Sequence, residues 1–257
     1  MIGFYRRIRK KLADDNQFLK YSRYAIGEIL LVVLGILIAL QINNNNEAKK
    51  QRKLELHYLK NIKSDLALNI AHLENYIASR DIAIQSANIV IEHYEGKPIT
   101  DLKEFSRHTV NIYTWQKFSQ INNTFQELMN SGNLALISND SIKGILLNLE
   151  SKYKSLKDEE AHFRYDAEVT LYEPSFTSMD MNPIVQNYMY FVSSGAMGES
   201  RELSEEEFDA MLKDIKQKNG FVMAIYEFTV MNQMFAEMKS MCQKLIELID
   251  NELVSDG

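Results

Sequence analysis

The apolar stretch YAIGEILLVVLGILIALQI occupies residues 24–42 and decides how the rest of the chain is organised. Residues 29–40 contain no polar side chain, and only Glu28 and Gln41 are strongly polar elsewhere in the stretch. At about 1.5 Å per residue, a helix of this length spans roughly 28 Å, which is close to the thickness of a bilayer core. The stretch therefore predicts one transmembrane helix.

The flanks favour a membrane helix over two alternatives, a buried helix of a soluble protein and a cleaved signal peptide. Tyr21 and Tyr24 stand where an interfacial aromatic belt is expected, and polar side chains begin again at Asn43. No pair of small residues with cleavage-site spacing follows Ala39. We therefore predict an uncleaved anchor at residues 24–43.

Charge is unevenly distributed along the chain, whose net charge is −6. Residues 1–23 carry seven Lys/Arg against two Asp, whereas residues 44–257 carry 22 basic and 32 acidic groups. A basic tail suits contact with anionic lipid, and an acidic body argues against nucleic acid as a partner. Residues 45–60 carry only five Lys/Arg, so positive-inside counting predicts a cytoplasmic N-terminus.

The basic tail, residues 1–23, has the pattern of a short amphipathic helix. Phe4, Ile8 and Leu12 recur every four residues, with cations between them. Such a helix lies in the membrane interface with its cations at the headgroups, although an ordinary solvated basic helix has the same pattern. The candidate lipid-surface contacts are Arg6, Arg7, Arg9, Lys10 and Lys11.

One face of the predicted membrane helix carries Glu28, Val32, Gly35 and Ala39. Gly35 and Ala39 form a small-xxx-small pair, which lets two backbones approach closely, so we predict a self-association seam here; small residues are nevertheless common in membrane helices. An ionisable group in a membrane is a functional candidate by default, but Glu28 lies about one turn from the interface and can also reach it by snorkelling.

Residues 44–257 are predicted to form an acidic, helical, extramembrane bundle, so the predicted fold class is all-α. Ten Gly and three Pro are too few for many tight turns. Apolar residues keep helical spacing from Leu59 to Ile84, and a stop signal follows at residues 95–98. One stalk helix can therefore continue from the membrane to about residue 94; a break among residues 43–46 is the alternative.

Local signals predict the remaining helix boundaries. A capping box at Thr124 and Glu127 predicts a helix that stops at Gly132, and residues 138–140 cap a longer one. We expect that longer helix to end by Glu173-Pro174 and a loop to follow over 174–183. We expect another helix from Ser204 to Asn219-Gly220 and a last helix over 221–253. The apolar side of the last helix carries Met231, Met234, Met238 and Leu245.

No catalytic, cofactor-binding or metal-binding residues are predicted. Glu159 and His162 have the Glu-x-x-His spacing of di-iron bundles, but such a site needs the motif twice, and a solvated helix face explains the spacing better. No phosphate-binding loop, cysteine pair or nucleophile elbow is present, and Cys242 lies in an apolar helix. The pattern therefore disfavours an enzyme.

Residues 24–47, YAIGEILLVVLGILIALQINNNNE, closely resemble the hallmark of an uncharacterised family of Bacteroidota single-pass membrane proteins. The basic start and the stretch FQELMNSGNL at residues 125–134 are also similar to that family, whereas Asn45 stands where the family tends to carry Trp. The resemblance implies a protein of the inner (cytoplasmic) membrane and fits a periplasmic C-terminal domain. It implies no activity.

Together these features predict a membrane-anchored, non-enzymatic interaction or accessory module. Its expected partners are the lipid bilayer, further copies of the chain and an unidentified protein. The alternative is a sensor, or a component for permeation of small solutes or ions, that uses an oligomeric transmembrane seam lined by Glu28.

Overall fold

The computed structural model describes residues 18–254, and its described part is all-α, as predicted. The chain divides into two compact units, residues 1–55 and 56–257. The amphipathic pattern of Phe4, Ile8 and Leu12 and the five candidate lipid contacts lie outside the described residues. The predicted boundaries at residues 23 and 43 concern the membrane and stay predictions.

The α-helices of the described part are numbered in chain order. They are α1 (Phe18–Tyr94), α2 (Leu102–Asn111), α3 (Asn123–Asn130), α4 (Asp140–Ala167), α5 (Glu173–Ser178), α6 (Met181–Val192), α7 (Glu205–Met211) and α8 (Ile215–Val254). Short 3₁₀ turns at Ile112–Thr114 and Asn133–Leu136 and a π-helical segment at Glu168–Tyr172 connect some of them.

Helix α1 is continuous over 77 residues, so the alternative of a break among residues 43–46 is wrong. No Pro interrupts this range, and the side chain of Gln41 donates to that of Asn45, one turn later, at 3.2 Å. The stop is confirmed: Gly96 adopts a φ of +104°, which favours glycine, and the Lys97 N–H donates to the Glu92 carbonyl at 3.1 Å.

Three long helices form the core of the second unit: α4, α8 and the part of α1 from residue 56 onward. Lys63 pairs with Asp250 and Glu74 with Lys239, so α1 and α8 run antiparallel. Helices α4 and α8 also run antiparallel, since Asn139 bonds Glu252 and Lys152 bonds Glu237. Helices α1 and α4 are therefore parallel and need the long connection over residues 95–139.

The methionine-rich face of α8 belongs to this core, as predicted. Met231, Met238 and Leu245 are fully buried, and Met234 packs against the core from a partly buried position. Burial of this kind identifies these methionines as packing residues of the core.

Several predicted boundaries are corrected. Thr124 does not cap α3: the N-cap position is Asn122, and the Thr124 N–H instead approaches a carboxylate oxygen of Asp65 at 3.2 Å. Gly132, with a φ of +71°, does end that region. The expected loop over 174–183 is wrong, because α5 and the start of α6 occupy most of it; Pro174 lies in the first turn of α5, directly after the π-helical segment.

The expected break at Asn219-Gly220 is also wrong, because α8 begins at Ile215 and passes through it. Gly220 is buried against the π-helical segment, and a Cβ there would lie 2.7 Å from Leu171 Cδ2. The glycine therefore serves close packing of two helices. Ser204 does cap α7, accepting from the Glu207 N–H at 3.2 Å.

Candidate functional site

The apolar stretch at residues 24–42 lies within α1, and none of its side chains is buried among the described residues. Helix α1 has the length and composition of a membrane span, with a mean hydropathy of 2.5 in its most apolar window. The four predicted seam residues lie on one exposed face of it: Glu28, Val32, Gly35 and Ala39. A Cβ placed at Gly35 would have no described atom within 4 Å, apart from the helix's own backbone and the two residues next to Gly35 in the chain. This face of the helix is therefore open.

A buried ion pair joins α1 to α4 in the second unit. Arg80 is 3% exposed and Glu160 is fully buried, and their Nη2 and Oε1 atoms are 3.4 Å apart. Burial lowers the pKa of Arg80 to about 10, against the opposing effect of the Glu160 charge, so the guanidinium stays charged at neutral pH. It also lies 5.0 Å from the ring centre of Phe228 and 5.1 Å from that of Phe235, within cation–π range.

This ion pair and Asn69 bond backbone groups of the irregular segment at residues 115–122. Glu160 accepts from the Phe118 N–H at 2.6 Å, and Arg80 donates to the Gln116 carbonyl at 3.3 Å. Asn69 bonds both the N–H and the carbonyl of Ile121. Side chains of two helices thus supply hydrogen-bond partners to a segment that has no regular secondary structure.

An open cavity of about 240 Å³ adjoins Arg80. Trp115 and Phe228 supply apolar wall, while Asn75 and Asn111 supply amide groups. Among the described residues, Nε of Arg80 has no hydrogen-bond partner. The cavity therefore combines amide groups and aromatic surface beside the buried Arg80–Glu160 ion pair.

A second polar group lies between α4 and α8. His162 and Asp166, one turn apart on α4, face Glu227 of α8, and one ligand atom from each lies within 4.8 Å of the other two. Burial raises the pKa of Glu227 to about 7, the negative charge of Asp166 adds to this effect, and His162 opposes it. Glu159, which sequence spacing paired with His162, is not a member of the group.

A family model with the description "Family of unknown function (DUF6090)" matches residues 28–176, more than half of the chain. The chain belongs to this family. The DUF6090 match includes Arg80, Glu160, His162 and Asp166 and ends before α8, so Glu227 lies outside it. No curated protein and no solved structure matches the chain.

Sequence reasoning missed Arg80 and Glu160, although the chain carries a signal for the first. Leu59, Leu66, Leu73 and Ala87 are buried at intervals of seven or fourteen residues, and Arg80 occupies the remaining position of that series. A cation in a core position needs a buried partner. Glu160 has no comparable signal, since it closes the charged run 157–160 that resembles a solvated face.

Glu227 could not be found from local pattern either, because its partners are more than sixty residues earlier in the chain. The expectation of no metal-binding residues rested on spacing along single helices. The group of His162, Asp166 and Glu227 is formed by the packing of two helices.

Proposed function

We propose that this DUF6090 member is a non-enzymatic interaction or accessory module anchored in the cytoplasmic membrane by residues 24–42. The observation that carries the proposal is that this apolar helical stretch has no buried side chain. Its ten Leu, Ile and Val residues at 29–40 each favour insertion by about 0.3–0.6 kcal/mol, or about 3–6 kcal/mol together. Water is a poor environment for such a surface.

Membrane fractionation tests the anchor. The full-length chain is expected in the membrane pellet after an alkaline carbonate wash. Replacing Val33 and Ile36 by Arg costs about 2.5–3.5 kcal/mol each at mid-membrane, which exceeds the apolar gain and should release the chain. The matched control replaces Leu68 and Ile82 by Arg, since both are exposed on α1 outside the stretch, and this variant should stay in the pellet. Wild-type protein in the supernatant contradicts the proposal.

We place the N-terminus in the cytoplasm and the helical domain in the periplasm. The support is the Lys/Arg excess before the stretch and the resemblance of residues 24–47 to Bacteroidota membrane proteins. A cysteine at exposed Ser155 should react with a membrane-impermeant maleimide in intact spheroplasts, whereas the native Cys242 is buried. Labelling only after lysis would reverse the orientation.

Self-association through Glu28, Val32, Gly35 and Ala39 is part of the same proposal. Replacing Gly35 by Ile fills the small-residue face and should abolish crosslinked oligomers in membranes. Leu37→Ile is the control, because Leu37 lies half a turn around the helix from Glu28. Equal crosslinking in both variants argues against this seam.

The permeation alternative depends on Glu28, the only ionisable side chain in residues 24–42 besides that of Tyr24. Glu28→Gln keeps the size of the side chain and removes its charge. If ion flux and oligomer size in reconstituted vesicles are unchanged, permeation through this seam is excluded.

The Arg80 cavity favours a second candidate function, the sensing of a small anionic solute. Its volume of about 240 Å³ far exceeds the roughly 10–15 Å³ that one water needs, and its lining includes Arg80 and the amides of Asn75 and Asn111. We therefore expect acetate, succinate or inorganic phosphate to raise the unfolding temperature of the full-length protein.

Two leucine substitutions on α1 test this site. Ser79 is exposed and lines the cavity, so Ser79→Leu should fill it and remove the shift. Ala78 is also exposed but does not line it, so Ala78→Leu should keep the shift. If none of the three anions shifts the wild type, sensing of these anions is excluded.

A further inference from the structure

The group formed by His162, Asp166 and Glu227 has the geometry of a ligand set. His162 and Asp166 are four residues apart on α4 and so share a helix face. One ligand atom from each of the three residues lies within 4.8 Å of the other two, and the Nδ1 atom of His162 lies 3.7 Å from Oε1 of Glu227.

Glu227 provides an independent observation that points to a ligand. The residue is 5% exposed, and among the described residues neither of its carboxylate oxygens has a hydrogen-bond partner. A buried carboxylate without hydrogen bonds is costly unless a cation or a proton neutralises it.

The donor atoms select the kind of cation. One imidazole nitrogen and two carboxylates, with His162 neutral, carry a formal charge of −2. Calcium and magnesium prefer oxygen ligands alone, whereas zinc and its first-row neighbours accept this mixture of nitrogen and oxygen. We propose that His162, Asp166 and Glu227 bind a divalent transition-metal ion of the zinc type.

Only modest side-chain movement is needed to close the site. Metal–ligand distances of about 2.0–2.2 Å in a tetrahedral arrangement place ligand atoms about 3.4 Å apart, so separations of up to 4.8 Å must shorten by about 1.4 Å at most. The side chain of His162 is 61% exposed and free to make this adjustment. Three protein ligands leave a fourth position for solvent, and the ion would join α4 to α8.

A competing arrangement is a proton on Glu227 that is shared with Asp166, since the two carboxylates are close enough to influence each other. The proton neutralises Glu227 without any metal. The two arrangements differ in whether zinc binds.

Zinc titration of the full-length protein, without a polyhistidine tag and after treatment with a chelator, distinguishes them. Isothermal calorimetry with zinc chloride should show one ion bound per chain. His162→Ala and Glu227→Gln should each weaken binding by at least about 100-fold, because even outer-shell partners of a metal are worth about 10–100-fold. His162 is exposed, so its replacement leaves the fold intact, and far-ultraviolet circular dichroism verifies this for both variants.

Two controls measure non-specific binding. Glu159→Gln removes an exposed carboxylate one turn from His162, and His72→Ala removes an exposed histidine on α1. Both should bind zinc far more tightly than His162→Ala and Glu227→Gln. Magnesium at the same concentration should not compete.

The proposal is overturned if wild-type protein binds no zinc at 100 µM or less, a result that leaves the shared proton as the explanation. It is equally overturned if zinc binding survives in His162→Ala or Glu227→Gln, or is lost in the controls. The site does not depend on the membrane anchor, so its failure leaves that proposal unaffected.

Discussion

Replacing Gly220 by Ala tests the closest packing between α8 and the π-helical segment. The new Cβ would lie 2.7 Å from both Leu171 Cδ2 and Thr170 Oγ1, well inside the roughly 3.5–4.0 Å of a comfortable carbon contact. Leu171 is buried, and the Thr170 hydroxyl donates to the Asp166 carbonyl. Neither group can move without a loss of packing or a hydrogen bond, so we expect the variant to be less stable.

The magnitude follows from two opposing effects. Overpacking costs about 1–3 kcal/mol, and the higher helix propensity of Ala returns about 0.8–1.0 kcal/mol, so the expected net loss is about 1 kcal/mol. The control is Gly144, which is exposed in α4. A Cβ added there would have no atom of another element within 4 Å. Gly144→Ala should raise the free energy of unfolding by about 0.5–1 kcal/mol, because only the propensity effect acts.

Urea unfolding of the full-length protein in detergent, followed by tryptophan fluorescence, measures both changes. Trp115 is the only tryptophan and packs edge-on against Phe163 at 4.9 Å, so its emission reports on the bundle. With a urea dependence of about 2 kcal/mol per molar, the two variants should differ in midpoint by about 1 M. Equal stabilisation of both variants would refute the close approach at Gly220.

Three further predictions concern buried groups. Arg80→Leu leaves the Glu160 carboxylate without its buried cation and should lower the free energy of unfolding by about 3 kcal/mol. The double variant Arg80→Leu with Glu160→Gln should lower it less. Urea midpoints compare the two variants, and an equal loss of stability in both contradicts the pairing. Burial raises the pKa of Cys242 to about 12, so Ellman's reagent at pH 8 should react only after unfolding, and rapid reaction of folded protein contradicts this burial. Burial also raises the pKa of Tyr113 to about 12, so this side chain ionises first in the unfolded chain. Its contribution to stability should be constant below pH 10 and fall by up to about 1.4 kcal/mol per pH unit between pH 10 and 12, so urea midpoints in that range should fall less steeply with pH in Tyr113→Phe than in the wild type.

Much of the architecture was predictable because helices depend on local pattern. The apolar spacing from Leu59 onward, the stop at Gly96 and the cap at Asn139 each involve residues within a few positions of one another. The errors arose at Pro174 and Gly220, where residues that usually end helices are tolerated. Pro174 lies directly after the π-helical segment, and at Gly220 the contact with Leu171 explains the tolerance.

The amino-acid sequence by itself determined the all-α class and the apolar stretch at residues 24–42, since both depend on composition and short-range periodicity, whereas the structure showed that one helix runs unbroken through residues 43–46. Only the tertiary structure decided which polar groups meet. Arg80 reaches Glu160 across 80 positions, and Glu227 reaches His162 across 65, because antiparallel and parallel packing of three helices joins distant segments. Long-range contacts of this kind leave no local pattern, and they form both candidate sites of the helical domain.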